Sequence, residues 1–319
     1  MGFEERTLAS ARELSRTYPP AKVIAIQYED PGKSAEILEI LAKWGADVRI
    51  VPYGAALAHG LNLSGEATLI DVTGLAKPMI FHTVRNCLRA SGAVMITHTQ
   101  AKSYYPTDND MKSLLKAEDQ HNRERFFDTL SDVLTGEIGP YQCIPLLTTD
   151  ADETRRSVMF AFASPKHERL LSLTDGRVID RLEVVAPDGD SPRNRVAKQI
   201  AEIAATDSPS ADVTLINSDD LSRTTSFLLN GFAQWYVRKG FNFEIGLTGS
   251  KMEAVAAAAV SSICKVTQCW YVRPAEFDAA RFTKGTGATR HFRLTVEGES
   301  AQTRTAASAK GGRSSKKLA

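Results

Sequence analysis

Cysteine is scarce and poorly placed for chemistry. The four cysteines, Cys87, Cys143, Cys264 and Cys269, form no CxxC pair and no Cys/His spacing that suits a metal. Two fall in apolar helical stretches and one in a strand, which reads as buried thiols in a reducing compartment. The histidines form no HxxxH or HxH pair either, so the sequence predicts no metal site and no cofactor. GxGxxG, Walker A and GxSxG are all missing, which disfavours a dinucleotide site, a P-loop NTPase and an α/β-hydrolase. Charge of one sign is lacking too. Lys and Arg number 39 against 38 Asp and Glu, a net charge of +1, so the whole-chain field does not predict non-specific nucleic-acid binding. No apolar run approaches the roughly 20 residues of a membrane helix. The opening MGFEERTLASARELSRTY is charged and amphipathic, without the apolar stretch of a signal peptide. Together these features predict a cytoplasmic protein without a membrane partner.

What the chain has is alternation. With 319 residues it can form one large domain or two of ordinary size. An amphipathic helix at 4–17 ends at Pro19 and Pro20. Short β-branched runs follow at 22–27 (KVIAIQ), 47–52 (DVRIVP), 67–74 (ATLIDVTG) and 93–99 (AVMITHT), separated by helical stretches at 34–44 and 78–90. Residues 107–139 are charged and helical, most clearly at 119–134, and 140–153 holds a short strand-like QCIPLLT. The alternation then restarts with strands at 157–163, 181–187, 211–217, 241–249 and 267–274. Strands alternating with helices of this length predict βαβ units and a mostly parallel sheet. The expected fold is α/β, as two tandem Rossmann-like doubly wound units. The expected division is an N-terminal helix (1–20), a first unit (21–106), a helical connector (107–155), a second unit with a C-terminal hairpin (156–298) and a disordered basic tail (299–319). Within the second unit, RFTKGTGATRHFRL (281–294) reads as the hairpin, its glycines supplying φ > 0, or as a mobile phosphate-contacting loop.

An internal repeat is the most informative feature. IDVTGLAKPM (70–79) and IGLTGSKM (245–252) each end an apolar strand, turn through Thr-Gly, place a lysine at the helix start and lead to a further strand. The order and spacing point to a duplication. Glycine lets backbone approach a ligand closely, and the helix start offers free N–H groups and the positive dipole end. Thr73, Thr248 and Ser250 can donate hydroxyl hydrogen bonds, and Lys77 and Lys251 can face a phosphate. In open α/β sheets ligands bind at this carboxyl end of the strands. Ser164 and Glu29 follow the first strand of each half and are candidate contacts on the same rule. Asp71 can order the first turn or act as a base, and His98, Tyr104 and Tyr105 can stack on a base or pack inward. A capped helix with no ligand remains open for both turns.

These turns, with the βαβ order, resemble the CARF family of nucleotide-sensing Rossmann domains, which carry a Thr-Gly-Gly-Thr-Lys-like turn between a late strand and a helix. The matching positions are Thr248, Gly249, Ser250 and Lys251, and more loosely Thr73, Gly74 and Lys77. Ser250 and Leu75 stand where that pattern has its second glycine. The resemblance implies a sensor of cyclic oligoadenylate or a related nucleotide in antiviral defence, passing its signal to an effector protein partner. CARF domains pair across a two-fold axis, so it implies either a homo-oligomer or a site built within one chain by the repeat. In the second case Lys77 and Lys251 stand on opposite sides of one ligand. The ligand-binding set is then Thr73, Gly74, Lys77, Ser164, Thr248, Gly249, Ser250 and Lys251. Two rivals share these groups: a metal-independent phosphodiesterase resembling CARF-type ring nucleases, and a scaffold whose turns bind nothing.

Overall fold

The computed structural model describes residues 4–296 apart from 30–31, 62, 64–66, 117–125, 127–128, 131–135, 150, 207 and 209. The fold is mixed α/β with mostly parallel strands, as the alternation predicts. Among the described residues no helix is long and apolar enough to cross a membrane.

The first half opens with helix α1 (Glu5–Thr17) and strand β1 (Lys22–Gln27). Helix α2 (Ser34–Trp44) ends at Gly45, whose φ of 77° gives the left-handed cap that only glycine adopts without strain. Strand β2 (Asp47–Pro52), helix α3 (Tyr53–His59) and the short strand β3 (Leu69–Asp71) lead to helix α4 (Lys77–Ser91) and strand β4 (Ala93–Tyr104). Pro78 sits in the first turn of α4, where no N–H is needed. Helix α5 (Asp108–Lys116) and strand β5 (Glu137–Thr148) follow. Most of the helix expected at 119–134 lies outside the described residues, as does the tail expected to be disordered from 299.

The second half runs β6 (Ser157–Phe162), α6 (His167–Thr174), β7 (Arg181–Pro187), α7 (Pro192–Thr206), β8 (Ala211–Ile216) and α8 (Leu221–Gly231). After Gly231 the helix changes to a π-helical segment, Phe232–Arg238. A side chain at Gly231 would collide with the Phe160 ring, so glycine lets this helix approach β6. Strand β9 (Asn242–Gly246), helix α9 (Lys251–Ile263) and strand β10 (Gln268–Phe277) continue the alternation, and β11 (Thr283–Thr295) follows.

The second half forms one six-stranded sheet in the order β5–β10–β9–β6–β7–β8. Its parallel core is doubly wound, with the order reversing between β6 and β9, the place where such sheets bind ligands. The β6 sequence is an unbroken apolar run because that strand is covered on both faces. The first half is less regular. Its strands bond as a parallel pair, β1–β2, and a separate sheet, β11–β4–β3. It also contains one βα unit fewer than the second half, having no counterpart of the β8–α8 step.

The edge strands are exchanged between the halves. β5 follows β4 in the chain but pairs antiparallel with β10, and β11 follows β10 but pairs antiparallel with β4. This corrects the expected hairpin at 281–294. The segment is one strand, in register with β4 from Thr283↔Tyr104 to Thr295↔Ala93, with a single bulge between Thr286 and Thr289. The long edge of β4 offers a row of backbone groups that a self-paired hairpin would leave unmet. Gly285 (φ 67°) and Gly287 serve the irregular stretch rather than a reversing turn.

One hydrophobic cluster spans both halves. Helix α4 packs along α9, and Ile80, Phe81 and Val84 belong to the same buried cluster as Ile245, Val255 and Val260. The buried alanines 256–258 of α9 allow this close approach. A core that crosses the repeat predicts one cooperative unfolding transition. Phe81→Ala, at a fully buried position, should cost about 3–5 kcal/mol. Urea unfolding followed by tryptophan fluorescence and by far-UV circular dichroism should move together to lower midpoint; two separated transitions would show independent halves.

Candidate functional site

The two Thr-Gly turns face each other. Lys77, at the start of α4, donates from Nζ to the carbonyl of Leu247 in the opposite turn at 3.0 Å. Lys251, at the start of α9, donates in return to the carbonyl of Thr73. Each lysine therefore crosses to the other half and ties its turn down.

A cavity of about 670 Å³ lies over these crossed lysines, of a size that holds a small organic ligand. Gly74, Lys77, Gly249, Ser250, Lys251 and Ser164 all line it. Thr73 and Thr248 do not, which corrects their expected role. The Thr73 hydroxyl accepts the N–H of Thr99 at 2.9 Å and donates to Ser10. The Thr248 hydroxyl accepts the N–H of Phe162 at 3.0 Å and donates to its carbonyl at 2.6 Å. Both threonines are buried, holding each turn to the neighbouring strand. Asp71 accepts the N–H of Thr73 at 2.9 Å and so orders the first turn. Glu29 is exposed and lies off the cavity.

The Ser250 hydroxyl caps α9. It accepts the N–H of Glu253, and the Glu253 carboxylate accepts the N–H of Ser250 in return. Gly249 is required here, because a Cβ would stand 2.6 Å from Cβ of Phe162 and collide with Glu253. α4 has no such side-chain cap. Instead Tyr28, from the loop after β1, accepts the N–H of Ala76 at 2.6 Å.

Six cations line the cavity: Arg6, Lys77, Lys166, Arg169, Arg193 and Lys251; the lining carboxylates are Glu4, Asp219 and Glu253. Two buried ion clusters brace the walls. Arg6 holds Glu4 through two bonds of 2.9 and 3.0 Å, with Lys251 3.9 Å away and the Thr283 hydroxyl donating to Glu4. Arg169 likewise holds Glu137, which also accepts from Lys166 at 2.7 Å. Burial alone would raise Glu137, but Arg169 and Lys166 reverse this and hold it down at about 2. Burial pushes Lys166 and Lys251 down to about 8, more than their carboxylates recover. Burial also drives Lys77 well below the usual lysine range and raises its neighbour Glu253.

Aromatic rings complete the walls. Tyr28, Tyr104, Tyr105 and Tyr271 line the cavity with Phe277 and Phe282. The guanidinium carbons of Arg6 and Arg193 lie 5.7 and 5.8 Å from the Tyr104 ring, and Lys166 Nζ lies 4.1 Å from the Phe282 ring. His98 also faces the cavity. Burial, with Lys251 and Arg6 nearby, pushes it down to about 3, so it is neutral and can accept from Arg6. Asp71 pairs with Thr97 and Gly246 with Trp270, so His98 and Tyr271, each one residue further, hold corresponding places.

The sequence reading missed Glu4, Arg6, Lys166, Arg169, Arg193 and Glu253 as parts of this site. Glu253 had a readable signal, the Ser-x-x-Glu spacing of a capping box. Lys166 sits in the loop after β6 and Arg193 in the first turn of the helix after β7, where ligand contacts are expected. Arg6 had none, since an amphipathic helix does not say which structure its face meets.

No protein-family model matches the chain, and no curated protein matches it in sequence. One solved structure similar to it is described as "Structure of a Type III CRISPR defence DNA nuclease activated by cyclic oligoadenylate". The likeness covers 79% of this chain and 65% of that one, at 9% sequence identity and a TM-score of 0.49. The chain thus corresponds to about 65% of that protein's length.

The Glu137 cluster generates a test of its own. Glu137→Gln would leave Arg169 and Lys166 buried without their carboxylate, a loss of about 3–5 kcal/mol. Because the folded value, about 2, lies below the unfolded 4.5, the stabilisation is present above 4.5 and is lost as pH falls toward 2. It amounts to on the order of 3 kcal/mol. Denaturant titrations at pH 7 and pH 2.5 should show this loss in the wild type and a smaller one in Glu137→Gln.

Proposed function

We propose that the cavity binds an anionic nucleotide and that the chain is a sensor or regulatory protein for such a signal in antiviral defence, acting on an effector partner. The observation that carries this reading is the composition of the wall of one cavity. Six cations and three carboxylates share it with four tyrosines and two phenylalanines, at the carboxyl ends of the strands. The cation excess suits phosphate, and the rings suit the flat faces of bases. Two glycines bring backbone to the cavity wall, and two helix starts face it. This also agrees with the CARF-like turns read from the sequence.

The crossed lysines change what their removal should do. Lys77→Ala and Lys251→Ala should each weaken nucleotide binding roughly tenfold or more, the worth of one charge-assisted hydrogen bond. Each should also lower the melting temperature, because each leaves a carbonyl of the opposite turn without its donor. Lys166→Ala keeps the Glu137–Arg169 pair and should weaken binding with a smaller loss of stability. Isothermal titration with mononucleotides, linear dinucleotides and cyclic oligoadenylates measures the first effect, and thermal melts measure the second. Binding by none of these probes would overturn the reading.

The same groups could stabilise charge developing on a phosphate, which is how a phosphodiesterase would use them. Mass spectrometry of the nucleotide after incubation separates the two roles. Intact ligand recovered from the protein supports the sensor; a cleaved product assigns the enzyme.

A further inference from the structure

The repeat gives the two turns a similar backbone but different chemistry. At the second turn the Glu253 carboxylate already sits where an anion would sit. It accepts the N–H of Ser250, lines the cavity and is 4% exposed. Lys77, which reaches across to this turn, is its electrostatic neighbour, so the second turn holds a basic and an acidic group together. At the first turn the place matching Glu253 is held by Met79, three residues after Ala76 as Glu253 is three after Ser250. That turn has no side-chain cap, and Lys251 reaches it from the other half. A phosphate at the first turn would meet Lys251, whose neighbouring carboxylate, Glu4 at 3.9 Å, is already held by two bonds from Arg6; a phosphate at the second would meet Lys77 beside Glu253, whose carboxylate already takes the N–H of the turn.

The outer walls repeat the difference. Lys166 and Arg193 come from the loop after β6 and the start of α7. The lysine at the matching place after β1, Lys33, is paired with Glu36 at 3.0 Å and does not line the cavity. Asp219, in the loop after β8, lines the cavity from the βα step that the first half does not have.

We infer that the cavity selects a ligand that is not two-fold symmetric: a linear nucleotide with a terminal phosphate, that phosphate at the first turn beside Lys251 and an uncharged base edge or ribose hydroxyl at Glu253. The inference rests on the reading that the cavity binds a nucleotide. Glu253 is then the specificity-determining residue. Its oxygens accept from an amino or hydroxyl group, and, although burial raises it to about 7, in its ionised form its charge opposes the second phosphate that a symmetric ring would present there. A ring with matched phosphates would have one well-placed and one opposed.

The test is equilibrium titration with three probes: 5′-phosphorylated linear diadenylate, cyclic diadenylate and cyclic tetra-adenylate. The wild type should bind the linear probe at least about tenfold more tightly than either ring, the discrimination expected when one buried contact turns unfavourable. Glu253→Gln keeps the size of the cap without the charge. It should bring the rings to within about threefold of the linear probe, mainly by strengthening ring binding. A ring that binds the wild type as tightly as the linear probe overturns the inference while leaving nucleotide binding intact. An unchanged ratio in a Glu253→Gln protein whose melt shows it folded also overturns it. If that variant does not fold, the wild-type ratio alone decides. Binding of no probe at all overturns the nucleotide reading itself, and this inference with it.

Discussion

Two lysines, each held by a backbone carbonyl of the other half, set the geometry on which the site depends. Lys77 reaches Leu247 and Lys251 reaches Thr73. A lysine loses side-chain entropy and hydration when buried, so such contacts persist only where the surroundings hold both ends. Here the surroundings are α4 and α9, packed through a common core, and the threonines that anchor each turn to its neighbouring strand. The hydroxyls that first look like ligand donors are what keep the turns rigid. The cavity wall is left to glycine backbone and to charged side chains arriving from further away.

Burying cations has an electrostatic consequence that the structure answers in two places. Glu4 braces Arg6 and stands near Lys251; Glu137 braces Arg169 and Lys166. Each carboxylate receives more than one cation, so the walls keep an excess of positive charge while no guanidinium lacks a partner in these clusters. This differs from a surface salt bridge, where solvent screening removes most of the benefit. It also means that the groups most suited to meeting an anion are the ones whose loss disturbs the fold.

The exchanged edge strands bind the site to both ends of the chain. β11 begins at Thr283, next to the cavity, where it meets Glu4 from the N-terminus; β5 begins at Glu137, which meets Arg169 and Lys166. Thr283 and Glu137 each pair with the last residues of the strand they flank, Tyr104 and Phe277. The two halves thus complete each other at matching places, yet with different side chains. Strand pairing sets these matching places, while the side chains differ because each half has its own loops and, among the described residues, the second has a further βα step.

The α/β alternation and the lining residues Gly74, Lys77, Ser164, Gly249, Ser250 and Lys251 were legible in the sequence, because period, turn residues and helix starts are local properties. Several features were not. The strand at 283–295 looked like a hairpin because its glycines suggest a reversal, and only the unmet edge of β4 decides otherwise. Thr73 and Thr248 looked like ligand donors because a hydroxyl beside a glycine can turn either way; the strands packed behind them take both. Arg6 and Glu4 lie far from both turns in sequence, and they reach the cavity through the packing of α1 against β4 and β11. By itself the sequence determined which backbone shapes the chain could adopt, since φ/ψ preference and apolar period act over a few residues. Only the tertiary structure decided which polar groups face the cavity, because that follows from which partners long-range packing brings within hydrogen-bond reach.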